Sequence, residues 1–295
     1  MAFTLGGHSF AYYGFPPSST KDFQVMQIKY LVKKYLESIH FDANTPYFKD
    51  EALEETVWGY FQSLNMGEKI ERSSQKMLKI TGLYMFLLDD VTEEFTEGLQ
   101  QFGQNLSIYY GPYCHSVIIK SMFDYINGHV IEHKMEQSGF KFSANTCLMP
   151  TFLRTKTGGA EILVHMLWPK SLFPEEQYFM QYFPVIQEMV LFIGFTNEIL
   201  LYYKECFINE EKGNFVSNFA QAHEVDRLDV LRQLSEYIPQ GLTAVFRTLQ
   251  HNEVLRKPIE QFVISYVRMM TTNRRYHLVE LFADEQYLPP YNDDA

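Results

Sequence analysis

Apolar side chains return every three to four positions along almost the whole chain, and this spacing decides the fold class. Phe23, Met26, Tyr30, Leu31 and Tyr35 open the pattern, and residues 51–64, 69–90, 115–135, 173–209, 225–249 and 252–282 continue it. Such spacing gathers side chains on one face of an α-helix, whereas a half-buried strand needs strict alternation. No sustained alternation occurs. Asn127-Gly128 would mark a hairpin between strands, but here it lies inside a helical stretch. Gly158-Gly159 predicts a helix break and Lys212-Gly213-Asn214 a loop. Pro16-Pro17-Ser18-Ser19-Thr20 predicts the end of a leader and the start of the first helix. With no internal repeat or linker, one all-α domain is the simplest account.

Composition bounds what that domain does. The chain has 295 residues, 46% hydrophobic, enough to fill a sizeable core. A net charge of −11 without a dense basic run excludes a nucleic-acid partner. An acidic protein that binds an anion needs metal ions or a few placed cations at the site. Cys114, Cys147 and Cys206 supply neither a disulfide framework nor a paired-cysteine zinc site, which suits a reducing compartment. Residues 1–15 lack the basic and apolar regions of a secretory signal. The best apolar stretch, Met189 to Tyr203, is interrupted by Thr196-Asn197-Glu198, so no integral membrane segment is expected. These features predict a soluble, cytoplasmic protein. Aromatic residues make up 16% of the chain, and their ring faces suit either a core or a pocket for a cation.

Two short segments carry metal-binding chemistry. In Leu87-Leu88-Asp89-Asp90-Val91-Thr92-Glu93-Glu94, Asp89 and Glu93 are four apart and share a helix face. The apolar run Tyr84 to Leu88 before them would place these acids at the mouth of an apolar cavity. In the second segment, 108 residues on from Asp89, Asn197, Leu201 and Glu205 form one stripe of an apolar helix. Amide and carboxylate oxygens are hard donors suited to magnesium, which fills the rest of its shell with water and phosphate oxygens. Two such faces can clamp several ions, and the ions a diphosphate. Charge relief on a leaving diphosphate would then come from metal and placed cations, for which Arg154, Lys204, Arg274 and Arg275 are the candidates.

In this order, Tyr110-Gly111-Pro112-Tyr113-Cys114, Leu167-Trp168-Pro169-Lys170, Asn197 to Glu205 and Asn273-Arg274-Arg275-Tyr276-His277-Leu278 resemble segments of the trichodiene synthase family of class I sesquiterpene synthases. The resemblance runs from about residue 20 to 285. It implies a class I terpene synthase domain at 21–285, a helical bundle around a deep apolar pocket, between a leader (1–20) and a tail (286–295). It implies a prenyl diphosphate substrate, farnesyl diphosphate first, and three magnesium ions, with manganese as the alternative ion. A homodimer is compatible with the family. The implied metal ligands are Asp89, Glu93, Asn197 and Glu205, while Asp90 organises the closed site through a salt bridge. Arg154, Lys204, Arg275 and Tyr276 would grip the diphosphate, and Thr157 and Gly158 match the linker and effector positions at the helix break.

One departure from the family pattern bears on activity. The middle ligand of the second motif is Leu201, where the family has Ser or Thr, and leucine cannot coordinate a metal. Glu198 replaces the usual Asp beside Asn197. A non-catalytic member that binds a prenyl ligand or a partner is therefore the alternative reading. A further alternative is a zinc peptidase, because His129-Val130-Ile131-Glu132-His133 fits the H-x-x-E-H pattern with Glu205 or Glu210 as third ligand. Candidate pocket residues are Tyr84, Phe123, Met166 and Met269.

Overall fold

A computed structural model describes residues 20–43, 106–157, 159–211 and 213–291, together with the backbone of residues 3–5 and 8–10. Asp89, Asp90, Glu93 and Tyr84, the helices expected at 51–64 and 69–90, and Gly158 lie outside the described residues.

Ten helices form the described part of the fold. α1 is Lys21–Ser38, α2 Pro112–Ser138, α3 Met149–Thr157 and α4 Ala160–Met166. α5 is Glu175–Tyr182, α6 Ile186–Tyr203, α7 Phe215–His223 and α8 Arg227–Thr248. α9 is Glu253–Thr272 and α10 Leu278–Leu281. The expectation of an all-α fold holds. The one addition is a short hairpin near the N-terminus, where β1 (Phe3–Leu5) pairs antiparallel with β2 (His8–Phe10), Phe3 opposite Phe10.

The helix boundaries follow local chemistry. Thr20, Asn214, Asp226 and Asn252 each accept a backbone N–H from the first turn of the helix they precede, satisfying donors that have no intrahelical partner. α2 has no side-chain cap of its own. The Glu175 carboxylate instead accepts from the backbone of Tyr113 at 2.9 Å and Cys114 at 2.8 Å. A negative charge there also complements the helix dipole.

α6 is the axis of the molecule. It packs most extensively on α8, and also on α4, α1, α9 and α7. Its buried residues, from Ile186 to Tyr202, cover nearly every face, as expected of a helix surrounded by others. The continuous run Glu175–Ile208 is long and apolar enough to cross a membrane, yet 72% of its most apolar window is buried inside the protein. It is a core helix. Tyr35 of α1 and Thr196 of α6 share a buried hydrogen bond of 2.6 Å. Trp168, fully buried, stacks on Tyr182 with ring centroids 4.5 Å apart. This is the packing role of the Leu167 to Lys170 segment.

Two glycines let elements meet or turn. A Cβ on Gly128 would fall 2.7 Å from Thr157 Cγ2, so glycine permits the close crossing of α2 and α3. Asn127-Gly128 thus lies within a helix, as its context predicts. Gly159 has φ +59°, a left-handed conformation that separates α3 from α4 at the expected break.

Candidate active site

The site grows from the fourth turn of α6. Arg154, near the end of α3, reaches across to that turn. Its Nη2 donates to the Gly194 carbonyl at 3.1 Å and to Asn197 Oδ1 at 2.9 Å. Its Nε lies 3.0 Å from Glu198 Oε1, but that buried N–H is not aimed at the oxygen and makes no hydrogen bond. Glu198 is 5% exposed. Burial pushes its carboxyl above the usual range, and Arg154 offsets only part of that shift. Glu198 is the member of this cluster that the amino-acid sequence alone undervalued. Its signal was a charged residue inside an otherwise apolar helix, beside Asn197.

Past Tyr203 the helix widens into a π turn, Lys204–Ile208, an irregularity that often accompanies functional sites. Both Lys204 and Glu205 belong to this turn. The Glu205 carboxyl is pushed up to about 7, first by burial and then by the charges of Glu198 and Glu211, while Arg154 and Lys204 pull it back. The structure therefore brings Arg154, Asn197, Glu198, Lys204 and Glu205 into one electrostatic neighbourhood. Leu201, half-buried between Asn197 and Glu205, packs against the core and offers no donor atom.

The expectation of continuous helix over 252–282 needs correction. α9 ends at Thr272, Asn273 turns extended (ψ 129°), and Arg274–Tyr276 form a 3-10 turn. The Asn273 side chain causes the break by accepting from the Arg275 backbone at 2.9 Å. The turn packs against α6. It buries Tyr276 and leaves Arg274 and Arg275 exposed. The Arg274 guanidinium lies 5.6 Å from the centre of the Tyr291 ring. Tyr266 of α9 donates to the Ile193 carbonyl at 3.2 Å. Burial raises its hydroxyl above the ordinary range, and the charges acting on it are those of Tyr276, Arg154, Tyr35 and Glu198. It shares the site with them, and its sequence context, a Tyr- and Met-rich helix, gave no signal of this.

The other candidates lie elsewhere. His129 pairs with Glu132 at 3.1 Å, and His133 with Gln137 at 2.7 Å, both along the helix. Among the described residues no three imidazole, thiol or carboxylate groups gather as a metal cluster. Phe123 is exposed on α2, Met166 is core, and Met269 packs against the core. Two clefts formed by described residues, one beside Lys170 and one beside α1, are not lined by Arg154, Asn197 or Glu205.

Known proteins resemble the chain over these same residues. The family model described as trichodiene synthase (TRI5) matches residues 68–288. An (E)-beta farnesene synthase of Metarhizium brunneum is 22% identical, over 86% of this chain and 89% of that protein. A trichodiene synthase of Fusarium pseudograminearum is 26% identical over 72% of this chain, which spans 62% of that protein's length. A trichodiene synthase of Gibberella zeae is 28% identical over 60% of this chain and 47% of its own length. The family match takes in α2 to α10 and every residue of the site, so the chain belongs to the trichodiene synthase family and, with it, to the terpene synthases.

Proposed function

We propose that this chain is a magnesium-dependent sesquiterpene synthase that ionises farnesyl diphosphate and converts the allylic cation to a C15 hydrocarbon or alcohol. The observation that carries this reading is Arg154. A largely buried guanidinium, held on Asn197 Oδ1 at 2.9 Å and 3.0 Å from Glu198 with the Glu205 carboxyl in its field, fixes a cation beside the two oxygen donors of the second motif, where a diphosphate would need it. The donors also suit the metal. Asn197 and Glu205 offer hard oxygens, Leu201 between them offers none, and magnesium needs few protein ligands when phosphate completes its shell. Asn197 and Glu205, with Asp89 and Glu93 of the first motif, would hold the ions. Magnesium, when bound, draws charge from the leaving diphosphate oxygen and lowers the ionisation barrier.

The protein's own groups do the rest. Arg154, Lys204 and Arg275 donate N–H bonds to diphosphate oxygens, and Tyr276 donates its hydroxyl. As the allylic C–O bond breaks, the electron pair stays on the diphosphate, where these donors meet the charge as it develops. Asp90 ties the closed site together and helps to exclude water. Aromatic ring faces stabilise the cation by roughly 0.5–2 kcal/mol each when desolvated. Cys114, Cys147 and Cys206 are all free, which supports a cytoplasmic enzyme.

The test is incubation with geranyl, farnesyl and geranylgeranyl diphosphates, with and without magnesium, followed by gas chromatography–mass spectrometry. A magnesium-dependent C15 product from farnesyl diphosphate is expected. Leu201 supports a second reading, a member that binds a prenyl diphosphate without turnover. Tight diphosphate binding with no product from any substrate would establish that reading.

A further inference from the structure

A row of charges on α2 has no part in the chemistry above, yet it joins the two helices on either side of the break at Gly159. Asp124 Oδ1 lies 2.7 Å from the Nζ of Lys156, in the last turn of α3. Glu161, in the first turn of α4, places its Oε2 2.5 Å from both Lys120 Nζ and Ser121 Oγ. Lys120 also lies 3.4 Å from Asp124 Oδ2, which makes the chain of contacts continuous from α3 through α2 to α4. One turn further along α2, Gly128 brings the backbone against Lys156 and Thr157.

α3 needs such support. It has nine residues and buries only Pro150 and Leu153. A helix that short does not hold itself in water, so its rotation is set by its contacts: Leu153 and Met149 join a small apolar cluster with Phe142, Ala222, Ile131 and Met135, and Lys156 pairs with Asp124. Residues two apart on a helix point about 200° apart. Arg154 and Lys156 therefore face opposite sides, the first toward α6 and the second toward α2. A rotation of α3 that frees Lys156 swings Arg154 off Asn197 and Glu198.

We propose that Asp124 is a positioning residue. Through Lys156 it sets the rotation of α3 and so holds Arg154 on Asn197 and Glu198, while Lys120 and Glu161 fix the far side of the break. The consequence for turnover rests on the function proposed above; the placement of α3 does not.

The full-length protein tests this with Asp124→Asn, Lys156→Gln and the charge-conserving Lys156→Arg. Amide hydrogen exchange across residues 149–157 and 227–248 is read by mass spectrometry, together with kcat and KM for farnesyl diphosphate. A part-exposed pair is worth enough to speed exchange about 2–5-fold when removed. Either of the first two variants should show that increase in 149–157 with α8 unchanged. The same variants should lower kcat by about 3–10-fold with KM nearly constant, since a misplaced donor is felt in the transition state. Lys156→Arg, which keeps the charge facing Asp124, should stay close to the parent in both. Unchanged exchange in α3 for Lys156→Gln, equal acceleration in α8, or a Lys156→Arg variant as fast in exchange as Lys156→Gln would each overturn the proposal. If the parent protein turns over none of the three diphosphates, the functional reading fails and the exchange data alone decide the placement.

Discussion

At Asn197 the amide oxygen accepts from Arg154 at 2.9 Å, while Leu201, four residues on, presents only methyl groups. The metal-binding stripe thus has hard donors at its ends and an apolar gap in its middle. Leu201→Ser fills that gap with a hydroxyl, and the magnesium concentration for half-maximal activity should fall; an unchanged requirement would show that the gap is immaterial. Glu205 gives a second prediction. Its carboxyl stands at about 7 rather than 4.5, because burial and neighbouring acids disfavour the charge. A raised pKa means that the folded state holds the proton more tightly than the unfolded one. The stability this group contributes is therefore fully present below about 4.5 and is lost as pH rises through about 7. In metal-free protein, Glu205→Gln should match the parent near pH 4, below the unfolded value, and exceed it at pH 8 by on the order of 1–3 kcal/mol. Urea unfolding at the two pH values reads the difference, and a parallel pH dependence in both proteins would count against it.

Helices decide which of these residues meet. The approach of Arg154 to α6 depends on α3, which ends at the Gly159 break and crosses α2 where Gly128 lacks a side chain. α1 is joined to α6 by the Tyr35–Thr196 hydrogen bond, whose partners are both fully buried. Tyr35→Phe leaves the Thr196 hydroxyl without its partner and should cost about 1–3 kcal/mol in thermal or denaturant unfolding. The helical spacing marked α1, α2 and α8 to within a few residues, because it is local, but set no bounds for α3, α4 or α7. The same local signal ran on through Asn273, since nothing in the apolar pattern distinguishes a side chain that caps from one that faces water. The 3-10 turn that buries Tyr276 and exposes Arg275 became visible only with the chain folded.

Across the whole molecule, the two ends of the described bundle are joined by charge. Lys29 pairs with Asp284 and Glu285, and Lys33 with Glu285 at 2.7 Å, partners more than 250 residues apart in sequence. The Lys33 ammonium also lies 5.0 Å from the centre of the Tyr287 ring. Asp284 is fully exposed to solvent screening, so the contribution of these pairs is small and depends on salt. The double variant Asp284→Asn, Glu285→Gln should melt slightly below the parent at low salt and together with it at about 1 M salt, where the Debye length is about 3 Å. A deficit that persists at high salt would assign these carboxylates a role beyond charge pairing.

The amino-acid sequence by itself determined the helical class, the family and the candidate residues on α6. Each of these depends on spacing along one helix or on ordered short segments. Folding decided what distant residues do to one another. Arg154 and Asn197 are 43 positions apart, and no local pattern states that the one donates to the other. Nor does it state that Glu198 faces Arg154, or that Asp124 holds Lys156. Those contacts depend on how helices rotate and cross. Many packed side chains set that rotation together, and no single stretch of sequence encodes it.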